Sequence, residues 1–177
     1  MKTTAIAPWY GSARMNAEKI AARINAFNPK WVGIPFCGGC SEVPWIKCGQ
    51  ILAGDVHRHV INLCQVLASP GYGQILRDRV EGLLFHPDTL SEARRFIEHV
   101  EYMLPKENAA DYIAAKKIEW AAAYFTNCWM SRSDAGSSRE FDNGMSIRFT
   151  ATGGGSLTRW QSAIESIDEW NKTLRER

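Results

Sequence analysis

The residues best placed for chemistry lie in the first third of the chain. Cys37-Gly38-Gly39-Cys40 ends a short apolar run over 31–36, and Asp55 ends a second run over 50–54, 17 positions after Gly38. A strand that stops in a glycine-rich turn lets the backbone approach a ligand. A carboxylate at the tip of the next strand can accept both hydroxyls of a ribose, so the pair has the logic of a nucleotide-type cofactor site. The tetrapeptide is not the dinucleotide fingerprint, and Asp55 equally suits the cap of the helix that follows it. Cys37-x-x-Cys40, with Cys48, His57 and His59 downstream, also has a zinc-like first pair but no clean second one. The cysteines are therefore read as small turn and core residues, with no metal site. The pair lacks a thioredoxin-like context, and the two histidines are read as surface residues flanking a helix start.

A second group is basic. Arg132, Arg139, Arg148 and Arg159 lie in or beside a segment rich in Ser and Gly, which includes Asp142-Asn143-Gly144 and Gly153-Gly154-Gly155. Arginines on a long loop can reach phosphates and guanine edges, which makes double-stranded DNA a candidate partner. A solvated polar loop accounts for the same composition. Trp120, Tyr124, Phe125 and Trp129 recur at helical spacing and are read as core, with base stacking by Trp129 as a minority alternative.

These groups need elements to position them. Residues 15–27 place Ile20, Ile24 and Phe27 on one face, predicting an amphipathic helix. The runs 31–36 and 50–54 predict buried strands, with Pro35 at the end of the first because proline cannot donate to a ladder. Helical spacing resumes at Val60, Cys64 and Leu67, and again over 73–84, 89–104 and 109–130, punctuated by Gly71, His86-Pro87 and Pro105. Asp88 or Thr89 is the expected cap of the second of these three. The stretch from Ser131 to Ser156 carries no period, and Leu157, Trp160, Ile164, Ile167 and Trp170 mark a closing helix. The expected segments are 1–69 for the strands and turn, 70–156 for a helical insert with its loop, and 157–177 for the closing helix.

Composition limits the alternatives. With 177 residues, 45% of them hydrophobic, and a net charge of +2, the chain is an ordinary globular domain. At this size folding buries roughly 70% of the unfolded surface, so no disulfide or metal staple is needed. No apolar window approaches ~18 residues and no secretory signal is evident, so neither export nor membrane insertion is expected. Five cysteines without a signal point to reduced thiols in a cytoplasm. Near-neutral bulk charge places any nucleic-acid affinity in local clusters.

Three ordered motifs carry a resemblance. Pro8-Trp9-Tyr10-Gly11-Ser12-Ala13-Arg14, then Val32-Gly33-Ile34-Pro35-Phe36-Cys37-Gly38-Gly39-Cys40, then Gly54-Asp55-Val56-His57-Arg58-His59-Val60-Ile61-Asn62-Leu63, resemble in order and spacing the cofactor motifs of Dam-like DNA adenine methyltransferases. Trp129-Met130-Ser131-Arg132-Ser133 and Ser146-Ile147-Arg148-Phe149 fall where that family places its target-recognition region. The resemblance implies an α/β, Rossmann-like methyltransferase fold with a partial sheet and an inserted helical recognition region. It implies S-adenosylmethionine as cofactor and methylation of adenine in DNA, as in restriction-modification. Trp9 or Tyr10 would pack against the cofactor and Arg14 would approach its carboxylate. Phe36, Gly38 and Gly39 would form the turn under its amino-acid part, while Asp55 takes the ribose and Val56 flanks the adenine.

The chain departs from the family at Ile34, where a glutamate is usual, at Cys40, which replaces a glycine, and at Arg14, which replaces a lysine. No Asp-Pro-Pro-Tyr tetrad occurs among the 177 residues, so no catalytic residue is assigned. The resemblance therefore implies an amino-terminal portion of a longer enzyme, inactive alone, whose sheet is completed by a second chain or dimer mate. The alternative is a noncatalytic DNA-binding or cofactor-binding remnant or subunit.

Overall fold

The computed structural model describes residues 5–106, 109–132, 144–147 and 155–176. The protein is mixed α/β and mostly helical. In chain order it has α1 (Ala17–Asn25), β1 (Trp31–Ile34), β2 (Gln50–Ala53), α2 (Arg58–Ala68), α3 (Tyr72–Glu81), α4 (Pro87–Met103), α5 (Ala109–Met130) and α6 (Ser156–Arg175). Single 3-10 turns lie at Ala13–Met15 and Val43–Trp45.

β1 and β2 form a two-stranded parallel sheet in the register Trp31 to Gln50 through Ile34 to Ala53. Parallel neighbours need a crossover, and residues 35–49 supply it. Pro35 lies just past β1, as its missing N–H requires. Beyond the strands the pairing continues into the turn, with Gly54 N–H donating to Ile34 O at 2.9 Å and Cys37 N–H to Gly54 O at 3.0 Å. The strands alternate: Val32, Ile34, Ile51 and Ala53 are half-buried, while Trp31 and Leu52 are exposed on the other face. The sequence predicted buried strands. Among the described residues the sheet has two strands and its Trp31 and Leu52 face is exposed, unlike the parallel sheet of a doubly wound fold, which is covered on both faces.

The helices form the main core. α5 is its axis, because every residue from Trp120 to Met130 is buried. α2, α3, α4 and α6 pack against it, and Leu63, Leu76, Ile97, Tyr124, Ile167 and Trp170 are among the side chains enclosed between them. Polar ties fix the helix pairs. Asn171 Nδ2 donates to Leu67 O at 2.6 Å, Asn62 Nδ2 to Lys117 O at 2.9 Å, and Arg77 pairs with Asp168. Gly73 is required where α3 meets α6, since a Cβ there would overlap the Asn171 side chain.

Two local expectations are corrected. α1 buries Ala17 and Ala21, whereas Ile20 is exposed and Phe27, beyond the helix, is 86% exposed. Ile24, the third member of the expected stripe, is half-buried; the helix is held by its small side and by Asn25, which bonds Trp45 O and Lys47 N–H. At α4 the cap is His86 rather than Asp88 or Thr89. Its Nδ1 accepts from Asp88 N–H at 3.2 Å, and Pro87 takes the first helical position. Among the described residues no helix is long and apolar enough to cross a membrane.

Candidate functional site

The three motifs meet at the carboxyl ends of the two strands. Gly38, with φ of 44°, and Gly39 form the turn after β1. The Asp55 carboxylate spans both strand ends: Oδ2 accepts Gly38 N–H at 2.9 Å and Oδ1 accepts His57 N–H at 2.9 Å. Asp55 thus ties the turn after β1 to His57, the residue that precedes α2, with one side chain; among the described residues no side chain caps the helix itself. A carboxylate offers about four lone-pair positions, so two remain for hydroxyl donors. Phe36 and Val56, its neighbours along the chain at the strand ends, are 81% and 78% exposed.

The amino-terminal segment closes over this turn. Ile6 N–H donates to Gly39 O at 3.0 Å, and the Trp9 ring lies against Gly38 and edge-on to His57 at 5.2 Å. The space left by the missing Cβ atoms is filled by this segment: a Cβ on Gly38 would come within 2.9 Å of Trp9 Nε1, and one on Gly39 within 2.7 Å of Ala7 O.

On the far side of Trp9 a cleft of about 1110 Å³ separates the amino-terminal segment from α6. Tyr10 and Arg14 line it from one wall, Arg159 and Glu169 from the other. The structure therefore divides the expected cofactor residues into two groups with Trp9 between them. Asp55, Phe36 and Val56 stand at the strand ends; Tyr10 and Arg14 line the cleft.

The arginines divide as well. Arg159 belongs to α6, lines the cleft and stacks its guanidinium over the Trp129 ring at 5.2 Å. Trp129 is itself buried, as the core reading requires. Arg132 is exposed at the end of α5, where its N–H donates to Gly144 O at 3.0 Å and Ser146 N–H donates to Met130 O at 2.8 Å. Arg94, from α4, binds Asn127 Oδ1 at 3.1 Å and Ser131 Oγ at 3.0 Å at the carboxyl end of α5. Arg139 and Arg148 lie outside the described residues.

Sequence reasoning missed two clusters. The histidines are not surface residues: His59 is 5% exposed, accepting from Trp120 Nε1 at 2.7 Å and pairing with Glu101 at 2.9 Å. Burial lowers its pKa from the usual histidine value, against the opposing pull of Glu101. His57 sits between Trp9 and Tyr124, its ring centroid 5.6 Å from that of Tyr124. The second cluster is of thiols. Cys64, from α2, reaches Cys40 with its sulfur 3.6 Å away. Hydrogen bonds from Cys40 and then Cys64 push the Cys37 thiol well below its ordinary range, and the same sharing pushes Cys40 and Cys64 up. The placing of Cys64 on the Val60 and Leu67 face was the available signal. Among the described residues no group of three or more His, Cys, Asp or Glu is arranged to hold a metal ion.

No family model, curated protein or solved structure matches the chain.

Proposed function

We propose that this chain carries the cofactor turn and the recognition segment of an S-adenosylmethionine-dependent methyltransferase acting on the exocyclic amine of adenine in double-stranded DNA. The observation that supports it most is Asp55. Its carboxylate joins the glycine turn of β1 to the start of α2, at the carboxyl ends of parallel strands where open α/β sheets bind ligands. In this reading β1 and β2 are strands of a Rossmann-like sheet.

The residues at the strand ends fit the nucleoside part of the cofactor. Asp55 retains acceptor capacity for two ribose hydroxyls, and exposed Phe36 and Val56 supply apolar surface for an adenine ring. Gly38 and Gly39 keep the turn low, and Trp9 holds it in place. Arg14 and Tyr10, on the cleft side, are assigned to the amino-acid end, where Arg14 would meet a carboxylate. Ile34 leaves the ammonium without the carboxylate partner usual in the resembled family, so affinity should be modest. S-adenosylmethionine supplies the electrophilic methyl group. The chain's own part is to hold the nucleoside and, through Arg132, Arg139 and Arg148, to contact DNA phosphates and base edges. Arg159 is reassigned from that set to the cleft.

Methyl transfer to a flipped adenine needs an amide or acid and a backbone carbonyl to hold the amine. These 177 residues hold no Asp-Pro-Pro-Tyr tetrad to provide them, so in this reading those groups come from other polypeptide, either further sequence of the same protein or a different chain. The exposed sheet face around Trp31 and Leu52 offers apolar surface against which such polypeptide could pack. Equilibrium dialysis with labelled S-adenosylmethionine tests the reading. Saturable binding that Asp55→Ala weakens at least about tenfold is expected, with circular dichroism confirming that the variant folds. No saturable binding by the wild-type chain overturns it, as does equal binding by the folded variant.

A further inference from the structure

Three sulfurs converge beneath the turn. Cys37 and Cys40 come from the turn itself and Cys64 from α2; the sulfurs of Cys40 and Cys64, 24 positions apart in the chain, are 3.6 Å apart, and Cys37 interacts with both. Cys40 takes a left-handed backbone conformation, φ 55°, which favours glycine, and this conformation places its sulfur 3.6 Å from that of Cys64. Only a short movement separates that contact from a covalent S–S bond. Cys48 lies two residues before β2, where its thiol donates to Gln50 O, and Cys128 lies inside α5.

We propose that the Cys37, Cys40 and Cys64 cluster is a peroxide-oxidisable site whose stable product is a disulfide between Cys40 and Cys64, with Cys37 restored as a free thiolate. The oxidant is hydrogen peroxide. Cys37 is assigned as the first sulfur to react because it lies in the turn beside both partners, whose hydrogen bonds lower its pKa and so favour the nucleophilic thiolate form. It attacks the peroxide, the O–O bond breaks, and Cys37 becomes a sulfenic acid as hydroxide leaves. The Cys40 thiol then attacks the Cys37 sulfur, forming the Cys37–Cys40 disulfide and releasing water. Cys64, giving its proton to the hydroxide, attacks the Cys40 sulfur and displaces Cys37 as a thiolate. Exchange runs in this direction because the sulfur that most readily carries negative charge is the best leaving group. In sum two S–H bonds are lost, one S–S bond is formed and one peroxide becomes two waters. The product ties the turn to α2 and is reversed by a dithiol.

The test is to oxidise the folded chain with a small molar excess of hydrogen peroxide, block the remaining thiols, digest and map by mass spectrometry. The expected product is a monomer that has lost two hydrogens, carries a Cys40–Cys64 cross-link and retains three of its five thiols. Dithiothreitol should restore all five. Cys37→Ser should slow the reaction by at least about tenfold while leaving the same cross-link, and Cys48→Ser should change neither rate nor product. The native chain, with all residues unchanged, provides the decisive reading if a variant does not fold. Retention of five thiols, a cross-link to Cys48 or Cys128, or an interchain product overturns the proposal.

Discussion

Replacing Gly39 by alanine probes the joint between the amino-terminal segment and the strand-end turn. The added Cβ would lie 2.7 Å from the Ala7 carbonyl oxygen and 3.4 Å from Ala5 Cβ. The obstructing atom is backbone, so it cannot swing aside as the end of a side chain would. Forcing a methyl group into a filled space costs about 1–3 kcal/mol. The displaced segment also loses the Ile6 N–H bond to Gly39 O, worth about 1 kcal/mol. The combined loss is about 2–4 kcal/mol, which in a domain of this size lowers Tm by on the order of 10 °C. Gly49→Ala is the control, because a Cβ there meets nothing within 4 Å. Thermal unfolding by circular dichroism should separate the two variants clearly, and hydrogen exchange at the Ile6 amide should lose its protection only in Gly39→Ala. Equal melting of the two variants, with Ile6 still protected, would refute the packing argument.

Other consequences follow from the same geometry. The folded pKa of His59 lies below its unfolded value because burial disfavours the charged ring, so the unfolded chain binds more protons. Its contribution to stability is full above about pH 6.5 and is lost as pH falls from there through the lowered folded value; Tm at pH 5.5 should therefore be lower than at pH 7.5, and His59→Gln should flatten that difference. The same substitution removes the ring nitrogen that accepts from buried Trp120, which should cost about 1–3 kcal/mol in urea unfolding. For DNA, Arg132→Ala should weaken binding by the whole chain and reduce the slope of log K against log salt by about 0.9. An unchanged slope in fluorescence anisotropy would remove Arg132 from the phosphate contacts. The 177-residue chain alone should incorporate no methyl groups into DNA, and a positive result with labelled cofactor would mean that other residues hold the adenine amine.

Much of the architecture was legible because it rests on local rules. The periods over 73–84, 89–104 and 109–130 appear as α3, α4 and α5, and Pro35 marks the end of β1. What failed was decided by distant partners. Ile20 and Phe27 looked like the buried stripe of α1, but the small side chains of Ala17 and Ala21 let that side approach the chain closely. His59 reads as exposed at a helix start until Trp120, 61 positions later, arrives to donate to it. Asp55 was identifiable as a strand-end carboxylate or a helix cap; it braces the turn because Gly38 turns its N–H back toward it, and it reaches only the N–H of His57, ahead of α2, which has no side-chain cap among the described residues. Arg159 falls within the closing helix that the sequence predicts, but only the tertiary fold shows its guanidinium over the Trp129 ring. The meeting of Cys64 with Cys40 needed the tertiary fold, since no local spacing encodes it.

The most direct measurement of the central claim is an amide-resolved NMR titration of the native chain with S-adenosylmethionine. The account predicts saturable shifts at Gly38, Val56 and His57, the amides around the Asp55 carboxylate, with smaller changes at Arg14 and none at Gly49. A full set of unchanged amides, or saturable shifts that avoid the strand ends altogether, would contradict it.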